Sequence, residues 1–319
     1  MAKRRGWVVA IGLGVALVGL LACGGSADDG YVFLAKYAPQ WQVSPTPAVR
    51  QVAVRPTASP ARPVATPITS FGAGGKHEVD QAGRPILVYL DPGHGGVDQG
   101  TRGLTADGEE VLEKTVTLAV AQRTAALLRN DGIGVVLSRT DDSLPGSQPA
   151  DYTADGTVLT PAGVLRDLQR RIDRANASGA QVLLSLHQNG FTDPAVGGSE
   201  TFFDPDRPFS AENERLAHLV QSDVIASLHD AGLDVPDRGV TDDTTLQGDD
   251  LGALGVPYNH LVLLGPAVPG KLQASQLPGA LSEPLFLTNP PEANAVSQPE
   301  IQDALARAYS RALEDFLRQ

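Results

Sequence analysis

Ile86-Leu87-Val88-Tyr89-Leu90-Asp91-Pro92-Gly93-His94-Gly95-Gly96 is the stretch on which the fold turns. An unbroken run of apolar and aromatic residues reads as a strand buried on both faces, and it passes straight into a glycine-rich turn that carries a histidine. Glycine opens backbone angles closed to other residues and lets a ligand approach the chain closely. Gln181-Val182-Leu183-Leu184-Ser185-Leu186 repeats the pattern and also ends on a histidine, His187, while Gly134-Val135-Val136-Leu137 is a third buried strand. Between these runs, Glu113 to Arg129 sets Leu112, Val116, Val120 and Leu127 on one side at helical spacing, and Val164 to Ala177 repeats the theme. Further helices are expected from Ala211 to Ala231 and from Pro299 to Leu317, with a strand over Leu261 to Leu264 and another ending at Ser282. Strands alternating with helices predict an α/β fold: one domain, built on a mainly parallel twisted sheet with helices on both faces. No internal repeat interrupts it.

In an open α/β sheet the functional crevice lies along the carboxyl ends of the strands, so His94 and His187 should share one edge. The chain has a single cysteine, Cys23, which excludes an intrachain disulfide and a thiolate metal cage. A metal would have to be held by histidine and carboxylate, and catalytic zinc sites commonly combine three such ligands with a position left for water. Glu109, Glu110 and Glu113 compete for the third place, since all precede or open the helix that follows the first strand. Asp107 with Glu110 three residues on resembles a capping box, which gives Glu110 a structural task. Glu113 shares a helical face with Val116 and Val120 and should point inward, so the pattern favours Glu113. The other histidines have blander surroundings. His218 and His229 lie in a polar helix, His77 lies in a glycine-rich boundary, and His260 precedes Leu261; all four read as surface or satisfied core residues. Ser199 in Gly197-Gly198-Ser199-Glu200 lacks the glycine spacing of a nucleophile elbow.

The 319 residues carry a formal net charge of -12, with 42% hydrophobic and 19% charged residues. Such a chain can bury a core, and with no basic stripe it is no nucleic-acid binder. Lys3, Arg4 and Arg5 followed by an apolar run from Trp7 to Ala22 form an export signal. Leu20-Leu21-Ala22-Cys23 at its end resembles the lipobox of bacterial lipoproteins, whose cysteine becomes the lipid-bearing first residue. The alternative is an uncleaved membrane anchor, for which about 16 apolar residues are slightly short. From Ser44 to Thr69, prolines at 45, 47, 56, 60, 63 and 67 separate small residues, the signature of an extended, solvated spacer. The expected organisation is a signal over 1–22, a tether and linker over 23–83, and a folded domain over 84–319.

Three motifs then coincide: Asp91-Pro92-Gly93-His94-Gly95-Gly96, Glu113-Lys114-Thr115-Val116-Thr117-Leu118-Ala119-Val120-Ala121, and Ser185-Leu186-His187-Gln188-Asn189. In that order they resemble the zinc-dependent N-acetylmuramoyl-L-alanine amidases of the amidase-3 family. Ser138 to Asp142, Arg171 with Ala175-Asn176, and Gly198 to Phe203 add to the likeness, which covers nearly everything from Ile86 to Leu317. The resemblance implies one zinc per chain, held by His94, Glu113 and His187, and cleavage of the amide between the lactyl group of N-acetylmuramic acid and L-alanine in peptidoglycan. It also implies a catalytic role for Glu283 in Glu283-Pro284-Leu285-Phe286-Leu287-Thr288-Asn289, with weaker orienting roles for Asn189 and Glu200. From the residues alone, Glu283 reads as a solvated loop glutamate. The expected place of work is outside the cytoplasm, on a membrane anchored through lipid at Cys23; the sequence assigns no activator. Two other readings compete: an anchored wall-binding module without activity, and a zinc carboxypeptidase acting on the stem peptide. Two departures stand out. Ser143 to Gly163 is longer than usual and reads as a lid, and Gly265 to Gly270 replaces an arginine-bearing turn of the family.

Overall fold

A first strand, β1 (Leu87–Pro92), sends Val88 and Leu90 to one side and Tyr89 to the other, and two cores form accordingly. The computed structural model describes residues 78–245 and 254–318. The signal segment, Cys23, the proline-rich stretch and His77 lie outside the described residues. Among the described residues no helix is long and apolar enough to cross a membrane.

The elements follow as β2 (Arg102–Leu104), β3 (Glu110–Leu112), α1 (Glu113–Asn130), β4 (Gly134–Leu137), α2 (Pro161–Ala177), β5 (Val182–Leu186) and β6 (Ser199–Phe203). After them come α3 (Ser210–Asp230), β7 (Asp237–Asp242), β8 (Gly279–Glu283), α4 (Pro290–Ser297) and α5 (Pro299–Leu317). Six strands form one sheet in the order β4-β1-β5-β8-β6-β7, and β2 pairs with β3 in a separate hairpin. β4, β1, β5 and β8 run parallel, while β6 is antiparallel to β8 and carries β7 parallel to itself. Val88, Leu90, Val182 and Leu184 pack with α1, α3 and α5 on one face. On the other, Tyr89, Val136, Leu183 and Leu281 meet α2 and an irregular segment around Tyr258, Leu263 and Leu272. Helices thus cover both faces of a mainly parallel sheet, in one α/β domain.

Several local expectations need correction. Leu261 to Leu264 is a turn, not a strand: Leu264 and Gly265 donate to the Leu261 carbonyl, and Val262, Leu263 and Leu264 are buried against the second face, with Leu261 partly so, without joining the sheet. Asp107 and Glu110 form no capping box. They belong to the β2–β3 hairpin, in which the Asp107 carboxylate accepts from the Thr105 hydroxyl and Glu110 pairs with Arg102, and the cap position of α1 falls on Leu112. Leu128, not Leu127, is the fully buried member of the α1 stripe. The lid expected after Ser143 is not among them; the stretch packs on α2, where buried Asp151 accepts from Arg170 (2.9 Å), from Arg166 (2.5 Å) and from the Gln148 amide (2.8 Å).

Two buried arginines fix the turn beyond β1. Arg171 donates through Nη1 to Asp91 (2.8 Å) and the Pro92 carbonyl (3.0 Å), through Nη2 to the His94 carbonyl (2.8 Å), and through Nε to Asp167 (2.7 Å). Arg139 donates to the carbonyls of Pro92 (3.0 Å) and Gly93 (2.9 Å). Backbone oxygens that would otherwise be buried without partners are satisfied by guanidinium forks, which hold the turn in place.

Candidate metal centre

His94 stands in that turn with a φ of 62°, a left-handed conformation that costs a non-glycine residue energy and persists only where surroundings impose it. The strand pairing puts Pro92 beside Leu186, so the residues following β1 and β5 emerge side by side. His94 and His187 meet edge to face, with ring centroids 4.9 Å apart. Glu113, first residue of α1, completes the group. Its Oε1 lies 3.1 Å from His94 Nε2 and 2.9 Å from His187 Nδ1. All three ligand atoms fall within 4.8 Å of one another.

The carboxylate is oriented by the chain itself. The Gln188 amide donates to Glu113 Oε1 (2.9 Å) and the Thr101 amide to Oε2 (2.7 Å). Burial opposes its charge, but His94 and His187 overcome that and hold the Glu113 carboxyl well below its usual range. Burial likewise disfavours protonated His94, yet the Asp98 and Glu113 carboxylates outweigh it and raise the imidazole well above its ordinary value. Asp98 Oδ2 lies 2.9 Å from His94 Nδ1, leaving Nε2 directed at Glu113. A carboxylate on the far nitrogen is the usual device for fixing the tautomer of a metal-binding histidine. Two glycines make the approach possible: a Cβ at Gly93 would run into the His187 ring, and one at Gly100 into Glu113 and His94. Donor types, spacing and orienting contacts therefore fit a divalent metal of the zinc class.

Glu283 ends β8 and lies directly across from Glu200 of β6 in the antiparallel register. Burial first, then the charges of Glu113 and Glu200, push the Glu283 carboxyl up to about 8. Glu200 is buried and held by the Thr241 hydroxyl (2.6 Å) and Arg238 Nε (3.3 Å). Asn289, the last residue of the Glu283 motif, caps α4 by accepting from the Glu292 amide (3.2 Å), and buried Glu292 in turn accepts from the amides of Phe286 (2.6 Å) and Gly198 (2.8 Å). The motif thus shapes the loop behind Glu283. Asn189 spends its side-chain oxygen on the Gly190 amide (2.7 Å).

The family model for N-acetylmuramoyl-L-alanine amidase matches residues 88–315. The chain belongs to that family. This amidase is 30% identical over 227 residues to the germination-specific N-acetylmuramoyl-L-alanine amidase of Bacillus subtilis, covering 71% of the present chain and 78% of that one. It is 28% identical over 257 residues to the amidase AmiA of Salmonella typhimurium, covering 76% and 79%. Among solved structures it resembles an N-acetylmuramoyl-L-alanine amidase from Clostridium difficile 630, with a TM-score of 0.51 and 27% identity over 73% of this chain and 97% of that one. The CwlD amidase of Clostridioides difficile shares the fold, with a TM-score of 0.55 at 24% identity over 73% and 98% of the two chains.

Asp98, Arg139 and Arg238 were not singled out by sequence as site residues. For Asp98 the signal was available: an acidic residue four positions after His94 in a glycine-rich turn. Arg238 reaches the site from β7, and nothing local to its sequence marks it. Ser199 is fully buried; His218 and His229 are exposed, as expected.

Proposed function

We propose that this amidase is zinc-dependent, that His94, Glu113 and His187 hold the ion, and that Glu283 carries the proton in cleaving the N-acetylmuramoyl-L-alanine bond of peptidoglycan. The carrying observation is the convergence of three ligand atoms within 4.8 Å at the sheet edge where β8 delivers Glu283. When bound, the ion supplies Lewis acidity, making water more acidic and drawing electron density from the scissile carbonyl.

The chain's own groups do the rest. Glu283 accepts the proton of the attacking water and passes it to the L-alanine nitrogen as the C–N bond breaks, leaving a lactyl carboxylate and a free amine. A buried carboxyl whose proton affinity is raised by its surroundings is suited to taking and giving a proton within one turnover. Glu200, fixed by Thr241 and Arg238, keeps negative charge beside Glu283 and so maintains its proton affinity. Asp98 keeps the His94 ring in register.

Stripping with a chelator should abolish hydrolysis, and zinc should restore it. Glu113→Ala should lose the metal of this centre while Glu110→Ala keeps it, because Glu110 lies in the hairpin and pairs with Arg102. Equal zinc content and activity in the two variants would remove Glu113 from the centre.

The N-terminal region suggests where the reaction occurs. We read residues 1–22 as an export signal, Cys23 as the lipid-bearing residue, and 23–83 as a tether that carries the 84–319 domain toward the wall. Two or more acyl chains, at about 0.8 kcal/mol per buried methylene, give stable anchoring. Cys23→Ser should remain unprocessed and carry no lipid; lipid labelling equal to wild type would refute the assignment.

A further inference from the structure

On the opposite edge of the sheet a second group of ligand-type side chains converges. β6 runs antiparallel to β8, so its carboxyl end, followed by Asp204, points away from Glu283. β7 runs with β6, and Asp243 follows it. His260 comes from the irregular segment over the second core. His260 Nδ1 lies 2.9 Å from Asp204 Oδ2 and 3.4 Å from Asp243 Oδ1. The three ligand atoms lie within 4.8 Å of one another, as in the first cluster. Four residues of strand, at about 3.3 Å each, put Asp204 some 13 Å beyond Glu200 and hence beyond the metal centre.

The remaining oxygens explain why these atoms face one another. Asp204 Oδ1 accepts from the Asp206 amide (2.6 Å), and Asp243 Oδ2 accepts from the Leu261 amide (2.9 Å). Each carboxylate is thereby turned so that its other oxygen points inward. Both aspartates have 0% of their surface exposed, and apart from the contacts of Asp204 Oδ2 and Asp243 Oδ1 with His260 Nδ1 described above, these three atoms have no hydrogen-bond partner of good geometry among the described residues. Unsatisfied buried polar atoms are costly, and three aimed at one point are rare without an occupant. His260, expected to be a surface or satisfied core residue, is the meeting point of these carboxylates.

We propose that Asp204, Asp243 and His260 bind a second divalent cation of the zinc or manganese class. Two carboxylate oxygens and an imidazole nitrogen suit such an ion, and a cation would compensate the two buried carboxylates. The three ligands come from three separate segments, so the ion clamps the turn at Leu261 to Leu264 against the ends of β6 and β7. Its role is structural, because metal affinity for a folded site is folding free energy. Asp206 faces the other ring nitrogen at 3.9 Å.

The test is zinc stoichiometry of the full-length protein in mild detergent, after chelation and equilibrium dialysis against Zn2+. Wild type should hold two ions per chain and Asp243→Asn one, with wall hydrolysis retained. A His94→Ala/His187→Ala variant should still hold one, lost when Asp243→Asn is added, and Zn2+ should raise its melting temperature only while Asp243 is present. If the His94→Ala/His187→Ala protein binds no zinc, or binds zinc unaffected by Asp243→Asn, the second site is overturned while the catalytic centre stands. Retention of one ion in wild type that Asp243→Asn removes would instead support this site and count against the catalytic one. Asparagine matches aspartate in size and removes one of the two buried carboxylates, so metal-free Asp243→Asn should melt no lower than metal-free wild type.

Discussion

Glu283→Gln is expected to keep its zinc and to lose about 10² to 10⁴ in turnover on peptidoglycan, the usual worth of a positioned general acid–base group. Glutamine preserves size and hydrogen bonding but can neither take the water's proton nor return it to the leaving nitrogen. The neutral side chain also relieves the charge crowding with Glu113 and Glu200, so the protein should fold at least as well as wild type. If Glu283 were a fourth ligand, the same substitution would lower metal content, the coordination sphere would be closed, and no position would be left for water. Metal content and cleavage rate, measured on one preparation, separate the two. Full zinc with near-wild-type turnover would remove Glu283 from the reaction.

Arg171→Met should destabilise the fold by about 3–5 kcal/mol in chemical denaturation at neutral pH, because it leaves Asp91 and Asp167 buried without their cation. The pH dependence gives a second signature. In wild type, burial opposes ionisation of Asp91 but Arg171 overcomes it and holds the carboxyl down to about 2, from 3.8. A depressed carboxylate contributes stability above its unfolded pKa and loses it as pH falls through the folded one, here about 2 kcal/mol between roughly pH 4 and pH 2. Without Arg171, burial is opposed only by Ser138, His187 and the Ser185 hydroxyl, so the Asp91 pKa rises and acidification relieves strain. The gap between variant and wild type should narrow as pH falls, and adding Asp91→Asn should recover part of the loss at pH 7. A gap that stays constant from pH 7 to pH 4 would show that Arg171 acts by packing, not by charge. Because Arg171 also holds the His94 carbonyl, the variant should bind zinc more weakly.

What the sequence made legible, and what it hid, follows from where each signal resides. β1, β4 and β5 stand out because strands covered on both faces are apolar throughout. β6, Ser199 to Phe203, and β7, Asp237 to Asp242, escaped notice, since they carry serine, glutamate, aspartate, arginine and glycine where the sheet meets polar groups. Leu261 to Leu264 shows the converse: an apolar run records burial, and burial does not require a strand. Asp107 and Glu110 have capping-box spacing, but tertiary pairing of β2 with β3 claims them first.

The same logic applies to the site. His94 and His187 are legible because each terminates a buried strand, and the topology of parallel strands places such residues on one edge. Glu113 follows from helical phase. Glu283 needed the family resemblance, as nothing in its local sequence distinguishes it from a loop glutamate. Arg238 and the Asp204, Asp243 and His260 group depend on strand order, which places residues far apart in sequence in contact and leaves no local trace.

Mass spectrometry of purified peptidoglycan digested by the zinc-loaded and the chelator-stripped protein tests the proposed chemistry most directly. The expected products are free stem peptides beginning with an unblocked L-alanine amine and glycan strands bearing intact lactyl carboxylates, formed only with zinc. Release of carboxyl-terminal amino acids with the lactyl amide intact, or equal digestion by the stripped protein, would contradict it.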